Sequence, residues 1–270
     1  MNAIHPAEYQ AALRADFYSF LLRCFAELNP RSPFLANWHI EVLAAKLQAA
    51  QEGKINRLVV CIPPRHLKSL AAPIALPAWW LGHDPACAII SVTYGQDLSD
   101  KFAQDCRAIM MSSWYQKLYP TRLATSRAAI QELVTTKGGF RMATSVSGVL
   151  TGRGADVIIV DDPLKPIDAM SDARRNAANE WYDGTLYSRL NDKAKGAIII
   201  IMQRLHEDDL AGHVLTQEAW DLVPSLLSQR PTRSTASIRC SAAKGSSGEP
   251  GSPCTRGASL SKPSNRFARP

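Results

Sequence analysis

Short apolar runs alternate with amphipathic stretches through the middle of the chain. Four runs have the length of buried strands and consist mainly of valine, isoleucine and other apolar residues: "RLVVCI", "CAIISV", "ADVIIVDD" and "GAIIIIM". Between them, stretches such as "GQDLSDKFAQDCRAIMMS" and "SDARRNAANEWYDGTLYSRL" place apolar residues at helical spacing. A strand that is apolar at consecutive positions is buried on both faces, as in a parallel sheet covered by helices. The pattern therefore predicts an α/β fold with a mainly parallel sheet flanked by helices.

The two ends of the chain differ from this middle part. Residues 1–52 carry apolar residues at helical spacing, which predicts a helical N-terminal segment before an α/β domain at 53–223. Within that domain, "IQELVTTKGGFRMATSV" predicts a hairpin with Gly138 and Gly139 at its turn. Residues 224–270 are rich in Ser, Pro, Gly and Arg and nearly free of aliphatic residues. Such a segment cannot bury enough apolar surface to offset its ordering entropy, so we predict a disordered basic tail.

The charge distribution changes the interpretation of the basic composition. The net charge is +7, but residues 1–223 carry 23 Lys and Arg against 23 Asp and Glu, whereas residues 224–270 carry 8 against 1. The excess lies entirely in the tail, so the basic composition is not evidence that the folded part binds DNA.

Cysteine usage and hydropathy argue against a membrane-spanning protein and against a secreted disulfide-rich protein. No apolar run reaches the roughly 18 residues that a membrane-spanning helix needs. The six cysteines show no CxxC pair and no secreted-framework spacing, which predicts reduced thiols rather than disulfides or zinc ligands. We therefore expect a cytoplasmic protein.

The stretch "VVCIPPRHLKSLAAP" lies where a phosphate-binding loop belongs, between a strand and a helix starting near Lys68. Aligning Lys68 and Ser69 with the end of G-x-x-x-x-G-K-[ST] puts Ile62 and Leu67 at the two glycine positions. Phosphate binding needs converging amides, a cation for the β and γ oxygens and a hydroxyl for Mg²⁺. Leu67 would then need a backbone conformation that glycine adopts more cheaply. The alternative is a Pro-induced turn with a solvated lysine.

Two carboxylates end the strand "ADVIIVDDP". At the carboxyl edge of a parallel sheet, Asp161 would hold Mg²⁺ through water, and Asp162 could orient and polarise an attacking water. Alone, the same stretch is also compatible with a buried strand followed by an Asp-Pro turn.

Two further segments carry candidate chemistry. Arg153, between two glycines, is either an arginine finger, in its own or a neighbouring subunit, or an exposed turn residue. Gln203 ends the strand in "IIIIMQRLHEDDLAGH" and could sense the γ-phosphate, whereas the acids that follow it could simply complement a helix dipole. His206 and His213 are predicted to have surface or capping roles rather than to bind metal.

Four motifs together resemble the ATPase motor of phage terminase large subunits, especially prophage-type members. They are "PPRHLKS", "SVTYGQDLSDKFAQDCR", "VSGVLTGRGADVIIVDDPLK" and "MQRLHEDDLAG", and the resemblance covers roughly residues 30–223. It implies a P-loop NTPase of the additional-strand, RecA-like type that hydrolyses ATP with Mg²⁺ to drive double-stranded DNA into procapsids. It also implies portal protein and the terminase small subunit as partners, a homo-oligomeric ring and the bacterial host cytoplasm as the location.

The resemblance assigns roles to individual residues. It implies that Arg65 contacts the γ-phosphate, that Lys68 and Ser69 bind phosphates and Mg²⁺, and that Gln203 belongs to the coupling motif. Asp161 and Asp162 form the Walker B end, while Tyr94 is interpreted as structural. The candidates for nucleotide binding are Pro64, Arg65, His66, Leu67, Lys68 and Ser69, with Trp38 and His39 near the adenine.

The chain departs from the family pattern at its end. Similar family members continue into a metal-dependent nuclease, but only one acidic residue, Glu249, follows Asp221 here, so we expect no nuclease activity. The expectation is a truncated motor whose tail is either natural or the product of a reading-frame slip near residue 224. Alternative functions are a helicase-like DNA-stimulated ATPase and a catalytically inactive DNA-binding remnant.

Overall fold

The computed structural model describes residues 5–124, 129–148, 150 and 152–224. Of the predicted disordered tail at residues 224–270, all but residue 224 lies outside the described residues, as do Cys240 and Cys254. The other four cysteines are buried free thiols. Within the described part of the chain, no helix is long and apolar enough to cross a membrane.

A seven-stranded sheet forms the centre of the fold. Its strands in chain order are β1 Arg57–Cys61, β2 Ala88–Thr93, β3 Glu132–Val134, β4 Phe140–Ser145, β5 Val157–Asp161, β6 Ala197–Met202 and β7 Asp221–Val223. The order across the sheet is β3-β4-β2-β5-β6-β1-β7, and only the β3–β4 pair is antiparallel. All four strands predicted from apolar runs are present, and the predicted hairpin is the β3–β4 pair, with Gly138 at φ +89° in its turn. The three-residue β7 was not predicted.

The strand order confirms the additional-strand type of P-loop fold. β6 lies between β1, which precedes the lysine loop, and β5, which ends in the two aspartates. All three strands are parallel, so their carboxyl ends lie at the same edge of the sheet. The lysine loop and the aspartates therefore face a common edge, where ligands bind in open α/β sheets.

Helices cover the sheet and extend the N-terminus. They are α1 Pro6–Ala15, α2 Phe17–Leu28, α3 Trp38–Gln51, α4 Lys68–Leu70, α5 Leu76–His83, α6 Gln96–Met111, α7 Ser113–Leu118, α8 Asp172–Trp181 and α9 Leu210–Leu215. Residues Ala71–Ala75 form a π-helical turn that joins α4 to α5.

Both faces of the sheet are buried, which explains the continuous apolar runs. Along β1, Leu58 and Val60 belong to one hydrophobic cluster, and Val59 and Cys61 to the other. Successive strand side chains point to opposite faces, so each run supplies both cores. Each fully buried Val, Leu or Ile contributes about 1.5–3 kcal/mol relative to an exposed position.

The N-terminal helices belong to the first of these cores. Phe17 and Phe20 of α2 and Leu43 of α3 are fully buried in the same cluster as Leu58. The Trp79 indole in α5 donates a hydrogen bond to the carbonyl oxygen of Leu13 at 3.2 Å. The boundary predicted at residues 52 and 53 stays a prediction, but the helices before it pack on the sheet that follows it.

A buried arginine ties the helix after the lysine loop to the sheet. Pro77 has no N–H to donate to the carbonyl oxygen of Pro73, four residues earlier in the helix. Arg141 of β4 is completely buried and donates to that oxygen at 3.2 Å. Burial lowers the pKa of this guanidinium. The contact supplies a donor that the proline removed and fixes the helix against β4.

Candidate functional site

The lysine loop continues directly from β1. The Ile62 amide still donates to the Met202 carbonyl oxygen at 3.0 Å, so the chain leaves the sheet only at Pro63. Leu67 then has φ +61°, and Arg65 has φ +65°. Leu67 therefore takes the left-handed conformation that the alignment with a glycine position requires, and α4 begins at the next residue. The left-handed Arg65 was not predicted.

Strained backbone is concentrated at one edge of the sheet. Within the described residues, four non-glycine residues have positive φ: Arg65, Leu67, Ser147 and Asp162. They follow β1, β4 and β5, whose carboxyl ends lie at this edge. Such conformations cost about 1–3 kcal/mol each and cluster at functional sites. The strain therefore marks this edge as the candidate site.

Lys68 lies inside the protein at this edge. Its side chain is only 5% exposed, and its Nζ pairs with Asp162 Oδ2. The alternative of a solvated lysine at a proline turn is therefore wrong. A buried ammonium needs a paired charge to offset its desolvation, and Asp162 supplies that charge here.

Asp162 is held from three strands. It follows β5 with φ +44°, its Oδ2 accepts from Lys68, and its Oδ1 accepts from the Gln203 amide at 3.0 Å. Gln203 follows β6, the strand between β5 and β1. This brings three of the residues predicted from sequence into direct contact. The Gln203 contact is made by its backbone and would therefore persist with another side chain.

Asp161 is buried beside Asp162 and has an unsatisfied oxygen. It is 1% exposed, and its Oδ1 has no hydrogen-bond partner among the described residues. Burial, then the negative charge of Asp162, raise the pKa of this carboxyl to about 7, while Lys68 and a hydrogen bond from Ser69 lower it. A carboxylate oxygen without a partner beside a hydroxyl is a donor set that suits Mg²⁺.

The magnesium would need further oxygens from outside these two residues. No group of three His, Cys, Asp or Glu residues that could hold a metal occurs in the part of the chain that the structure describes. Mg²⁺ usually keeps several waters and binds one or two carboxylates together with substrate phosphates. Asp161 and Ser69 therefore fit an ion that arrives with a nucleotide better than a permanently bound metal.

An apolar pocket adjoins the lysine loop. Its volume is about 290 Å³, and its wall includes His39, Arg65, His66 and Leu67. The rings of His39 and His66 meet edge to face, with centroids 5.0 Å apart. Burial, then the charge of His66, lower the pKa of His39, which favours neutral imidazole.

Two other predicted nucleotide-binding residues lie at the margin of this pocket. Trp38 is 44% exposed and contacts His39 edge to face at 6.4 Å, but it does not line the pocket. Pro64 contributes its carbonyl oxygen, 2.8 Å from His66 Nδ1. Of the two residues placed near adenine, His39 is thus the one that forms the wall.

Arg153 pairs with a glutamate of β3 rather than with the residues around Lys68. Its guanidinium contacts both Glu132 carboxylate oxygens, at 2.9 and 3.1 Å, and lies 5.5 Å from the centroid of the Phe140 ring. Glu132 belongs to β3, three strand positions from β5, the strand that ends at Asp161, which corresponds to roughly 14 Å at the usual strand spacing. Arg153 therefore does not join the other site residues of its own chain.

The segment after Gln203 has the capping role that the sequence left open. Asp209 is 1% exposed, accepts from the Gly212 amide at 3.0 Å as the N-cap of α9, and pairs with Arg204. His206 Nδ1 accepts from the Asp208 amide, and His213 contacts Asp183. These contacts agree with the capping and surface roles predicted for the two histidines.

Two features of the structure, the left-handed Ser147 and the Glu132 partner of Arg153, carried no sequence signal. Ser147 carried no signal, because serine rarely takes the left-handed conformation and no motif marks it. Glu132 was not singled out because its contact with Arg153 joins residues 21 positions apart.

No protein-family model matches the chain, and no curated protein matches it. Similar solved structures include the large terminase of bacteriophage HK97, with 12% identity and a TM-score of 0.47 over 78% of this chain and 43% of that protein. Another is a mutant ATPase domain of the large terminase of Thermus phage P74-26, with 14% identity and a TM-score of 0.37 over 67% of this chain and 69% of that domain. The chain thus spans less than half the length of the HK97 protein. The solved structures named here are large terminases, the family that the sequence motifs resemble.

Proposed function

We propose that this chain is an ATP hydrolase, the motor part of a terminase large subunit that drives double-stranded DNA into procapsids. The observation that carries the proposal is the contact among Lys68, Asp162 and the Gln203 amide, beside the unpartnered Asp161 oxygen. A cation at a helix start, an oxygen donor set and a second carboxylate at one strand edge are the parts that phosphoryl transfer uses.

The Lys68–Asp162 ion pair has to open when a nucleotide binds. ATP phosphates compete with Asp162 for the buried ammonium, so nucleotide binding releases this carboxylate. Asp162, still held through Oδ1 by the Gln203 amide, then orients and polarises the attacking water. Ser69 and Asp161 would hold Mg²⁺, which when bound supplies positive charge to the phosphates. Catalysis is then mainly electrostatic, with Lys68 and Arg65 stabilising phosphoryl charge.

The apolar pocket beside the loop would take the nucleobase. A wall of imidazole rings and apolar side chains suits a flat aromatic ring, and His66 belongs to both the loop and the pocket wall. This arrangement supports roles for Pro64, His66 and Leu67 in shaping the loop, for His39 against the base and for Trp38 behind His39.

The test is ATP turnover by the purified chain. We expect phosphate release that requires Mg²⁺ and stops when the ion is chelated. Chain that binds no nucleotide would contradict the proposal and favour the inactive DNA-binding remnant. Strand separation without a procapsid would favour the helicase-like ATPase. Portal protein, small subunit and procapsid are the partners that the packaging role requires.

Arg153 is proposed to act in trans. Since Glu132 holds it away from Lys68 and Asp162 of its own chain, we infer that it completes the ATP site of a neighbouring subunit in a ring. Arg153→Ala should therefore lower turnover by about a thousandfold, in the range of arginine fingers, while nucleotide binding is kept.

Mixing two variants separates trans from cis action. Lys68→Ala chains have no working site but keep Arg153, and Arg153→Ala chains have the reverse. Mixed assemblies should therefore recover turnover that neither variant shows alone. Absence of recovery in assemblies that contain both variants would contradict action in trans.

A further inference from the structure

A second cavity lies at the same sheet edge, next to the proposed ATP site. Its volume is about 150 Å³, and it is bounded by the chain after β2, β4 and β5 and by α8. The polar side chains on its wall are those of Tyr94, Ser147, Lys165, Asp168 and Arg174. Pockets that enclose a whole small molecule are typically about 300–1,000 Å³, so this cavity suits a single group with a few waters.

The two cations on this wall are available to a ligand. Lys165 and Arg174 are exposed, and neither makes an ion pair with a carboxylate within the described residues. Lys165 Nζ lies 5.6 Å from the centroid of the Tyr94 ring, which orients the ammonium by a cation–π contact. Asp168 is the one acidic residue on the wall, so the cations exceed the acids by one.

The other polar residues on the wall suit an anionic ligand as well. Ser147 and Tyr94 are the wall residues that carry hydroxyl groups, and two hydroxyls with a guanidinium and an ammonium form a donor set suited to phosphate oxygens. Contacts to nucleic-acid backbones come largely from Arg, Lys, Ser and Tyr side chains. The exposed cations favour a phosphate that belongs to a large molecule outside the cavity over a small ion enclosed within it.

Backbone strain links this cavity to the ATP site. Ser147 on one wall has φ +69°, and Pro163 on another follows Asp162, which has φ +44°. Both strained residues follow strands of the same sheet edge. A ligand in the cavity would therefore press on the chain that directly follows Asp162.

We propose that this cavity binds a backbone phosphate of double-stranded DNA, with Lys165 and Arg174 as its cations and Tyr94 and Ser147 as hydroxyl donors. The proposal rests on the proposed function, because it names where a DNA-translocating motor holds its track. Contact beside Asp162 would make the position of that carboxylate depend on bound DNA.

The test measures the salt dependence of DNA binding by the full-length chain. A fluorescent duplex is titrated with unmodified chain and with the double variant Lys165→Ala, Arg174→Ala from about 50 to 200 mM salt. Each lost phosphate contact should reduce the slope of log affinity against log salt by about 0.9, so the double variant, which loses the one phosphate contact proposed here, should lose about 0.9. The basic tail is the same in both proteins and does not affect the difference.

Two control variants make the result specific. Lys101→Ala, Lys117→Ala removes the same charge from exposed positions on α6 and α7, and its slope should stay close to that of the unmodified chain. Lys165→Arg, Arg174→Lys keeps both charges and should retain most of the slope. An equal loss of slope in the Lys101 and Lys117 variant would overturn the proposal, since it would show a general charge effect.

Titration with inorganic phosphate tests whether the cavity binds free phosphate instead of a DNA phosphate. If calorimetry shows that phosphate binds the unmodified chain but not the Lys165 and Arg174 variant, while their DNA slopes agree, the cavity binds free phosphate and the DNA proposal fails. ATP turnover by the unmodified chain is measured separately. If the unmodified chain does not turn over ATP, the proposed ATPase function is refuted. A reduced salt slope in the Lys165 and Arg174 variant would still support DNA binding by the cavity.

Discussion

Lys68→Ala should lower ATP turnover by at least about a hundredfold, because removing one preorganised charge from a phosphoryl site costs that much or more. The side chain is buried at the start of α4, where its ammonium pairs with Asp162. Nucleotide affinity should fall as well, since the ammonium contributes to both ground-state and transition-state binding. Phosphate release and binding of a fluorescent ATP analogue measure the two effects.

The same substitution leaves Asp162 without its counterion, so folding has to be checked. The Asp162 side chain is 22% exposed, and water therefore offsets part of the lost pairing. Lys68→Met keeps most of the side-chain volume. Urea unfolding of both variants shows whether turnover is lost at the site alone or because the protein unfolds. Lys54→Ala removes an exposed lysine that pairs with Glu52, and its turnover should match that of the unmodified chain. Unchanged turnover in Lys68→Ala would refute the assignment of the site.

Asp161→Asn should make the nucleotide-free protein more stable at pH 8 and at the same time lower its Mg²⁺-dependent turnover. Folding raises the pKa of Asp161 from 3.8 to about 7, so the native state binds the proton more tightly than the unfolded chain does. The free energy of unfolding of the unmodified chain therefore decreases between about pH 4 and pH 7 and levels off above that range. A rise of about 3 pKa units at about 1.4 kcal/mol per unit gives an expected gain of up to about 4 kcal/mol for the variant above pH 7.

Urea unfolding at a series of pH values measures this gain, which should vanish near pH 4. Asp192→Asn is the control, because the pKa of this exposed carboxyl is shifted in the opposite direction. Backbone amides of Ala194 and Lys195 lower it. Its replacement should give no gain as the pH rises. A stability difference for Asp161→Asn that is the same at pH 4 and pH 8 would contradict the burial of an ionisable carboxyl. If Asp161→Asn is more stable but turns over less ATP, the buried charge of Asp161 costs stability and is needed for turnover.

Local patterns in the chain were sufficient to predict the elements of the fold. The four Val/Ile-rich runs, the hairpin at Gly138 and the helices between them were predictable because each is stabilised by features within a few residues. The loop position of Lys68 and the strand-end position of Asp161 and Asp162 followed from the same patterns. The short β7 was not predictable, since three residues carry no periodicity and its pairing with β1 depends on distant chain.

The sequence by itself determined which residues end the strands, and therefore which side chains can reach the ligand edge of a parallel sheet. Only the tertiary structure decided which of them meet. The strand order puts β6 between β1 and β5, so the Gln203 amide reaches Asp162, while it puts Glu132, the partner of Arg153, on β3, three strand positions from β5. It also brings Tyr94, Ser147 and Lys165 around one cavity. The physical reason is that strand identity is encoded by short local apolar runs, whereas strand neighbours are determined by the packing of the whole sheet.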